Sequence, residues 1–270
     1  MSPLVLPLGV LIGLALGALG GGGSILTVPA LVYLLDQDPR SATTSSLLIV
    51  GATSLIALVP HARAGRVRFV QGLTFGALGT AGSFAGSALA SHVDPQVLLT
   101  AFAGLMLVVA TLMIRRSLRN PQSSSDLEDP TVEPILTFHP ITCACPRLAK
   151  VVVTATAVGL LTGFFGVGGG FVLVPALVLA LSFPMPVAVG TSLLVIAVNS
   201  ATALTARITT GGTHLDWRLI AGFTAAAIAG SLFGGRITTR VEPRHLTQAF
   251  AVLLVAVAVY IAANSIASLR

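Results

Sequence analysis

Two glycine runs lie 146 positions apart in this 270-residue chain, and their composition suits a backbone site for an anion. The first run is Gly20-Gly21-Gly22-Gly23-Ser24, and the second is Gly166-Val167-Gly168-Gly169-Gly170. Glycine destabilises a helix by about 1 kcal/mol per residue relative to alanine, so each run predicts a break in a helix. A helix that begins after the break presents free N–H groups and the positive end of its dipole. We therefore expect an anion at these positions.

Polar side chains follow each glycine run at matching positions. Thr43-Thr44-Ser45-Ser46 comes after the first run, and Gly190-Thr191-Ser192 comes after the second, with Asn199 further along. Hydroxyl and amide groups donate hydrogen bonds to an oxyanion without bringing a fixed charge into an apolar environment. The alternative is that each hydroxyl bonds a carbonyl of its own helix and has no role in binding. The recurrence favours binding, and the predicted substrate site consists of Gly21, Gly22, Gly23, Ser24, Ser45, Ser46, Gly168, Gly169, Gly170, Thr191, Ser192 and Asn199.

Other chemistries fit these residue types less well. A glycine run before a helix also occurs in nucleotide-binding P-loops, but no Gly-Lys-Ser/Thr follows either run. His139, Cys143 and Cys145 could begin a metal site in the long polar loop, yet a fourth ligand is missing, which favours an ordinary loop with reduced thiols. The Asp, Glu and His residues are expected at loops, so we predict neither an intramembrane enzyme nor a buried proton relay. We expect no cofactor and no bound metal.

The composition is that of a membrane protein. The chain is 54% hydrophobic and 9% charged, with a mean hydropathy of +0.95, whereas soluble domains carry about a quarter charged residues. Stretches such as residues 151–206 and 219–235 contain no Asp, Glu, Lys or Arg, and about 20 apolar residues span a bilayer as a helix. Residues 249–261 are apolar on all sides, which excludes the alternation of a β-barrel strand. We predict an all-α polytopic protein of the cell membrane, meaning the plasma or inner membrane.

The positions of the charged residues and the composition of the first segment also fit a membrane protein. The fifteen Lys and Arg residues, which give a net charge of +6, fall in short interhelical loops, so nucleic acid is not an expected partner. Residues 1–20 contain no basic residue and run into more apolar sequence, so we expect them to be retained rather than cleaved as a signal peptide. The expected partners are the lipid bilayer and a small anion. The sequence leaves the oligomeric state open, with a homodimer as one option.

An internal repeat divides the chain into two halves. At a shift of 146, Val28-Pro29-Ala30-Leu31-Val32 matches Val174-Pro175-Ala176-Leu177-Val178, and the register holds without a gap up to Ser54 over Ser200. After a two-residue insertion the shift becomes 148, which pairs Gly82 with Gly230. We predict an N-terminal transmembrane repeat at residues 1–114, a cytoplasmic linker at 115–148 and a C-terminal transmembrane repeat at 149–270.

Each half is predicted to contain a glycine-broken helix pair followed by three ordinary spans. The second member of each pair has only 11 residues, so it must dip into the membrane and return or complete a broken span. The small-x3-small patterns at Gly9-x3-Gly13-x3-Gly17, Gly82-x3-Gly86 and Gly230-x3-Gly234 predict close helix contacts. The predicted segments are 4–20, 25–35, 41–59, 69–91 and 96–114 in the first half, and 150–165, 171–181, 187–206, 217–235 and 245–268 in the second.

These motifs resemble the sulfite exporter TauE/SafE family, also called the TSUP transporters. The resemblance rests on Gly13-x3-Gly17-x2-Gly20-x-Gly22-Gly23 with Pro29-Ala30-Leu31, and on the copy Gly159-x3-Gly163-x2-Gly166-x-Gly168-Gly169-Gly170 with Pro175-Ala176-Leu177. It covers both halves. It implies secondary transport of a sulfur-containing anion such as sulfite or an organosulfonate. The first half has Ser45-Ser46 where the second has Thr191-Ser192, so the two copies need not contribute equally.

Membrane orientation remains open from charge alone. If each broken pair makes two crossings or none, the halves are inverted, and eleven Lys and Arg residues lie inside against four outside. If each pair makes one crossing, the halves are parallel and the same counts result. We predict inverted repeats, because broken helices that meet at the midplane recur in carriers of that design. Import of an organic or inorganic anion and an anion channel are the alternatives to export.

Overall fold

The described part of the chain consists of helices joined by short loops. The computed structural model describes residues 4–90, 92, 95–119, 145–165, 170–210 and 215–267, and within these residues it contains helices and no strand. The prediction of an all-α chain is therefore confirmed. The helices are α1 (Val5–Leu19), α2 (Gly22–Pro29), α3 (Pro39–Arg63), α4 (Phe69–Ala90), α5 (Pro95–Arg119), α6 (Cys145–Phe165), α7 (Gly170–Leu179), α8 (Met185–Thr210), α9 (Trp217–Arg240) and α10 (Pro243–Ala267), with a π-helical turn (Ala30–Leu34) after α2.

Four helices in the described part are long and apolar enough to cross a membrane. The stretches are Ser41–Arg63 in α3, Met185–Thr205 in α8, Trp217–Thr238 in α9 and Pro243–Tyr260 in α10. Helix α4, with 22 residues, is also long but is not one of these four. Length and composition thus support a membrane protein.

The first broken pair separates at two residues rather than at the whole glycine run. Gly20 has a φ of +65°, which side chains of L-residues rarely adopt, and it ends α1. Gly22 and Gly23 already belong to the first turn of α2. The second member therefore begins three residues earlier than predicted. It continues through the π-helical turn that follows Pro29, a residue without an N–H to donate to the ordinary helical ladder.

Helix α2 runs back alongside α1. A Cβ on Gly23 would lie 2.6 Å from the backbone nitrogen of Leu16, so the two helices touch through their backbones. Beyond α2, Leu31 packs in one buried cluster with Val5 at the start of α1 and Ala42 near the start of α3. The pair therefore returns towards the side from which α1 began, which is the first of the two options left by the sequence.

The two halves repeat the same local geometry. Asp36 and Ser182 have positive φ values of 50° and 57°, and they are 146 positions apart, the shift of the sequence repeat. The backbone N–H of Gln37 donates to the carbonyl of Leu31 at 3.0 Å, and the N–H of Phe183 donates to Leu177 O at 3.0 Å. These equivalent bonds close the ends of the two short segments in the same way.

Each broken pair packs on the other half of the chain. A Cβ on Gly13 would overlap the carbonyl of Ala227, and one on Gly17 would overlap that of Ser231. Residue numbers rise together along this contact, so α1 and α9 are parallel. Helices α4 and α6 make the matching parallel contact, where Gly82 faces the backbone near Leu160. The small-x3-small prediction is confirmed at these positions.

Helices α3 and α8, which occupy equivalent places in the repeat, pack antiparallel. A Cβ on Gly51 would lie 2.9 Å from the Cβ of Ser200. At the other end, a Cβ on Gly190 would lie 2.5 Å from the carbonyl oxygen of Arg66, just beyond the end of α3. Residue numbers thus rise along one helix while they fall along the other.

Parts of the predicted linker and site lie outside the described residues. Helix α5 continues to Arg119 and α6 begins at Cys145, so the helices extend beyond both predicted linker boundaries. Gly168 and Gly169 of the predicted site lie outside the described residues, as do His139 and Cys143. The division into two repeats and a linker stays a prediction.

Candidate functional site

Gly170, the last residue of the second glycine run, meets the first run in the interior of the molecule. A Cβ on Gly21 would overlap the carbonyl of Gly170, and one on Gly170 would overlap the hydroxyl of Ser24. A Cβ on Gly20 would lie 2.6 Å from the Oγ of Ser192. The structure thus brings the break at Gly20 and Gly21 together with Ser24 of α2, Gly170 of α7 and Ser192 of α8. Gly21 and Gly170 have to be glycines because their backbones touch.

The N-terminal ends of α2 and α7 face this meeting point. Helix α2 begins at Gly22, and its N-cap residue Gly21 supplies no side chain to bond the first N–H groups. Helix α7 begins at Gly170, whose backbone touches that of Gly21. The first N–H groups of a helix lack intrahelical partners, and its dipole is positive at this end. Two such ends side by side favour a negative charge between or beside them.

Several predicted hydroxyl groups bond their own backbone. Ser24 Oγ donates to the carbonyl of Gly21 at 2.7 Å, Ser46 Oγ donates to Thr43 O at 2.8 Å, and Ser192 Oγ donates to Val189 O at 2.8 Å. Each hydroxyl has a single hydrogen, which these bonds use. In this conformation the three hydroxyls bond nearby backbone carbonyls, which was the non-binding alternative for these residues. Binding an anion would require the three side chains to rotate.

Ser45 and Thr191 occupy equivalent positions in the repeat but have different partners. Thr191 Oγ1 accepts a hydrogen bond of 3.2 Å from the backbone N–H of Arg68, which ties the α3–α4 turn to α8. Ser45 Oγ is buried and has no hydrogen-bond partner, and the same holds for Ser54 Oγ. A buried hydroxyl without a partner is costly, so these two serines have unused donors.

Asn199 of α8 faces α4. Its Oδ1 lies 3.4 Å from Thr80 Oγ1, whose single hydrogen also serves Gly76 O at 2.8 Å. Its Nδ2 would lie 3.9 Å from a Cβ on Gly79, so the amide faces the glycine-rich surface of α4. The contacts of Asn199 are therefore with Thr80 and Gly79 of α4 and not with the residues around Gly21.

A polar cluster at the end of α1 was missed from the sequence. His61 was expected at a loop, but α3 continues through it to Arg63, and the side chain is only 2% exposed. His61 Nε2 lies 3.2 Å from the carbonyl oxygen of Gly17, and Thr238 Oγ1 lies 3.2 Å from that of Ala18. These carbonyls have no partner within α1 because the helix ends at Leu19. The basic residues near position 63 were the available signal for the longer helix.

A crevice between α1, α3 and α9 is apolar and too narrow to admit a water molecule. The hydroxyl of Thr53 on its wall donates to Ile49 O at 2.6 Å, so it offers no hydrogen to a ligand. No group of three His, Cys, Asp or Glu residues suited to a metal occurs within the described ranges. The crevice is lined by Ile12, Gly13, Leu16, Ile49, Val50, Thr53 and Ala227.

The comparison with known families decides where the chain belongs. The model described as "Sulfite exporter TauE/SafE" matches residues 5–261, a range that starts with α1 and ends within α10. The chain belongs to the sulfite exporter TauE/SafE family. The resemblance drawn from the glycine and proline motifs is thereby confirmed.

Relatives of this TauE/SafE member carry transporter names. A "Probable membrane transporter protein" of Xylella fastidiosa is 34% identical over 264 residues, 97% of this chain and 95% of that protein. The "Probable membrane transporter protein YunE" of Bacillus subtilis is 26% identical over 260 residues, 92% of this chain and 90% of that protein. A probable membrane transporter of Methanocaldococcus jannaschii is 27% identical over 262 residues, 90% of each chain. No solved structure matches this chain. The protein is a membrane transporter of the TauE/SafE family.

Proposed function

We propose that this protein is a secondary transporter that exports a small sulfur-containing anion, sulfite or an organosulfonate, and is not an enzyme. The observation that carries the proposal is the contact between Gly21 and Gly170, where the N-terminal ends of α2 and α7 adjoin. The stretches 41–60 and 151–206 contain no charged residue. Binding would then depend on backbone N–H groups, helix dipoles and hydroxyls, which attract an anion and can also release it.

The proposal includes an inverted arrangement of the two repeats. Antiparallel packing of the equivalent helices α3 and α8 supports it, because a two-fold axis relating antiparallel helices must cross them rather than run along them. The return of α2 alongside α1 supports it too, because each half would then cross the membrane three times, an odd number. Broken helices that meet at a midplane site are a recurring feature of such carriers.

The same arrangement predicts which side faces the cytoplasm. With α3, α4 and α5 crossing in turn, the linker lies on the side opposite to both chain ends. Eleven of the fifteen Lys and Arg residues then fall on the linker side, and short cytoplasmic loops are enriched in these residues. We therefore propose that the linker is cytoplasmic and that the chain crosses the cell membrane several times. The eleven are Arg63, Arg66, Arg68, Arg115, Arg116, Arg119, Arg147, Lys150, Arg236, Arg240 and Arg244.

Export of an anion in this way needs no chemical energy source. An inside-negative membrane potential moves an anion outwards with about 2.3 kcal/mol per charge per 100 mV. Alternating access would expose the glycine segments first to one side and then to the other. The membrane potential provides the driving force, and the protein provides the binding site and the conformational change.

The test is anion flux in proteoliposomes with a clamped potential. We expect sulfite or methanesulfonate flux that depends on the potential, saturates with concentration and shows counter-exchange. Gly170→Ala should abolish it, because the added methyl group would displace Ser24 and Gly21, whereas Gly104→Ala, which meets no atom within 4 Å, should leave it unchanged. Flux that ignores the potential would contradict the driving force. Single-channel conductance would indicate a channel instead.

A further inference from the structure

A tight turn holds Arg66 against helix α8. The turn ends α3, with the backbone N–H of Arg66 donating to His61 O at 3.0 Å and that of Gly65 donating to Ala62 O at 3.0 Å. Gly65 has a φ of +69°, as such helix ends require. The carbonyl of Arg66 packs directly on Gly190 of α8, so the position of Arg66 is fixed on both sides.

The guanidinium group of Arg66 has an unused donor. Its Nη1 is buried and has no hydrogen-bond partner, although the side chain as a whole is only half-buried. A guanidinium group is always charged and offers five N–H donors in a planar fork. A buried charged donor without a partner is unfavourable, and an oxyanion is the ligand that best matches it.

His61, whose carbonyl accepts the backbone hydrogen bond of Arg66, adds a second unused nitrogen. Its Nε2 lies 3.2 Å from Gly17 O, which can only accept, so Nε2 carries the hydrogen in the neutral ring. Its Nδ1 is buried without a partner, and the positive charge of Arg66 acts on the ring. A proton on Nδ1 would create a donor and a second positive charge, which an anion would offset.

The helices and turns around Arg66 and His61 carry only some other charged residues, most of them arginines. Residues 4–35, which contain α1, carry no charged side chain, and α8 has one charged residue, Arg207, 17 positions beyond Gly190. On α3, Arg63 is exposed, and on α9 the guanidinium of Arg236 lies 5.9 Å from the Phe233 ring centre. Arg240 ends α9, and Arg68 follows the turn. At the start of α10, the carboxylate of Glu242 lies 3.7 Å from His245 Nδ1.

We propose that Arg66 and His61 form a binding site for a small oxyanion, separate from the glycine segments, in which the anion binds together with one proton on His61 Nδ1. The proton comes from solvent, and no covalent bond changes. A monoanion bound with a proton adds no net charge to the site. The identity of the anion as a substrate rests on the proposed function, whereas the binding itself does not.

Titration calorimetry on the purified full chain tests the site, with methanesulfonate as the probe because it stays a monoanion. We expect tighter binding at about pH 6 than at about pH 8, on either side of the range in which histidine titrates. Arg66→Gln should weaken binding about tenfold or more at both pH values, because it removes a charged donor. Arg63→Gln, the matched control from the same turn, should bind as the wild type does. His61→Gln should bind equally at both pH values.

A second measurement needs no variant. Calorimetry of the wild type in buffers with different ionisation enthalpies gives the number of protons taken up with the anion, and we expect close to one at about pH 8. No proton uptake would overturn the role of His61. Equal affinities of Arg66→Gln and Arg63→Gln would overturn the site.

The two proposals fail in different ways. If the titrations behave as expected but proteoliposomes carry no anion flux, the proposed function fails and this site remains. If flux occurs but Arg66→Gln and Arg63→Gln bind alike, this site fails and the proposed function remains.

Discussion

At the scale of single residues, glycine has two distinct roles in this transporter. Gly13 and Gly17 lie where a side chain would enter the backbone of α9, so their role is close packing. Gly20 has a positive φ and ends α1 beside Ser192, so its role is conformational. Spacing alone predicted the packing role, because a contact face repeats every fourth residue. It could not predict the bonds of Ser46 and Ser192, which depend on side-chain rotation.

The packing role gives a residue-scale prediction. Gly13→Ala should lower the free energy of unfolding by about 1–3 kcal/mol, because the added Cβ would overlap the carbonyl of Ala227 and neither backbone can easily move. Gly104→Ala on α5 is the matched control, since a Cβ there meets no atom within 4 Å. It should leave stability unchanged or raise it by up to about 1 kcal/mol through helix propensity. Thermal unfolding in detergent measures both, and equal melting temperatures would contradict the packing role.

At the scale of elements, the broken helix α1 needs partners for its last carbonyls. The donors come from two other helices. His61 of α3 reaches Gly17 O, and the hydroxyl of Thr238 on α9 is shared between Ala18 O at 3.2 Å and Gly234 O of its own helix at 3.1 Å. An unpaired carbonyl in an apolar interior is unfavourable, so these side chains hold the end of α1 in place. The sequence predicted the break correctly, but the donors are 44 and 220 positions away and follow no local pattern.

The element-scale prediction concerns Thr238. Thr238→Val keeps the shape of the side chain but removes the hydroxyl, so it should lower the free energy of unfolding by about 1 kcal/mol. Thr111→Val is the control, because that exposed hydroxyl donates only to Leu107 O of its own helix. Chemical or thermal unfolding in detergent compares the two. A larger loss for Thr111→Val than for Thr238→Val would exclude a stabilising role for the Thr238 contact.

At the scale of the whole molecule, the packing crosses between the two sequence halves. Helix α1 of the first half lies on α9 of the second, and α6 of the second lies on α4 of the first. Neither half therefore buries its broken pair alone. A rearrangement during transport would move each broken pair together with a helix of the other half, because these glycine contacts leave little room for sliding.

Cysteine labelling tests the inverted topology at this scale. In a background without Cys143 and Cys145, single cysteines at Ala64, Ser182 and Arg218 occupy exposed positions in or next to loops. We expect Ala64→Cys and Ser182→Cys to react with a membrane-impermeant reagent from the cytoplasmic side and Arg218→Cys from the opposite side. The parallel arrangement gives a different pattern, with Ala64→Cys and Arg218→Cys on one side and Ser182→Cys on the other. That pattern would overturn the proposal.

The sequence by itself determined the membrane class, the approximate positions of the helices and the helix contacts at the small-x3-small glycines. Composition and hydrophobic length are properties of a single segment, and the small-x3-small spacing acts within one or two turns of a helix, so they can be found without knowing how the helices pack. Only the tertiary structure decided that Gly21 meets Gly170, that His61 is buried against α1 and that Ser45 lacks a partner. Such contacts join residues far apart in the chain, and their geometry depends on how whole helices pack.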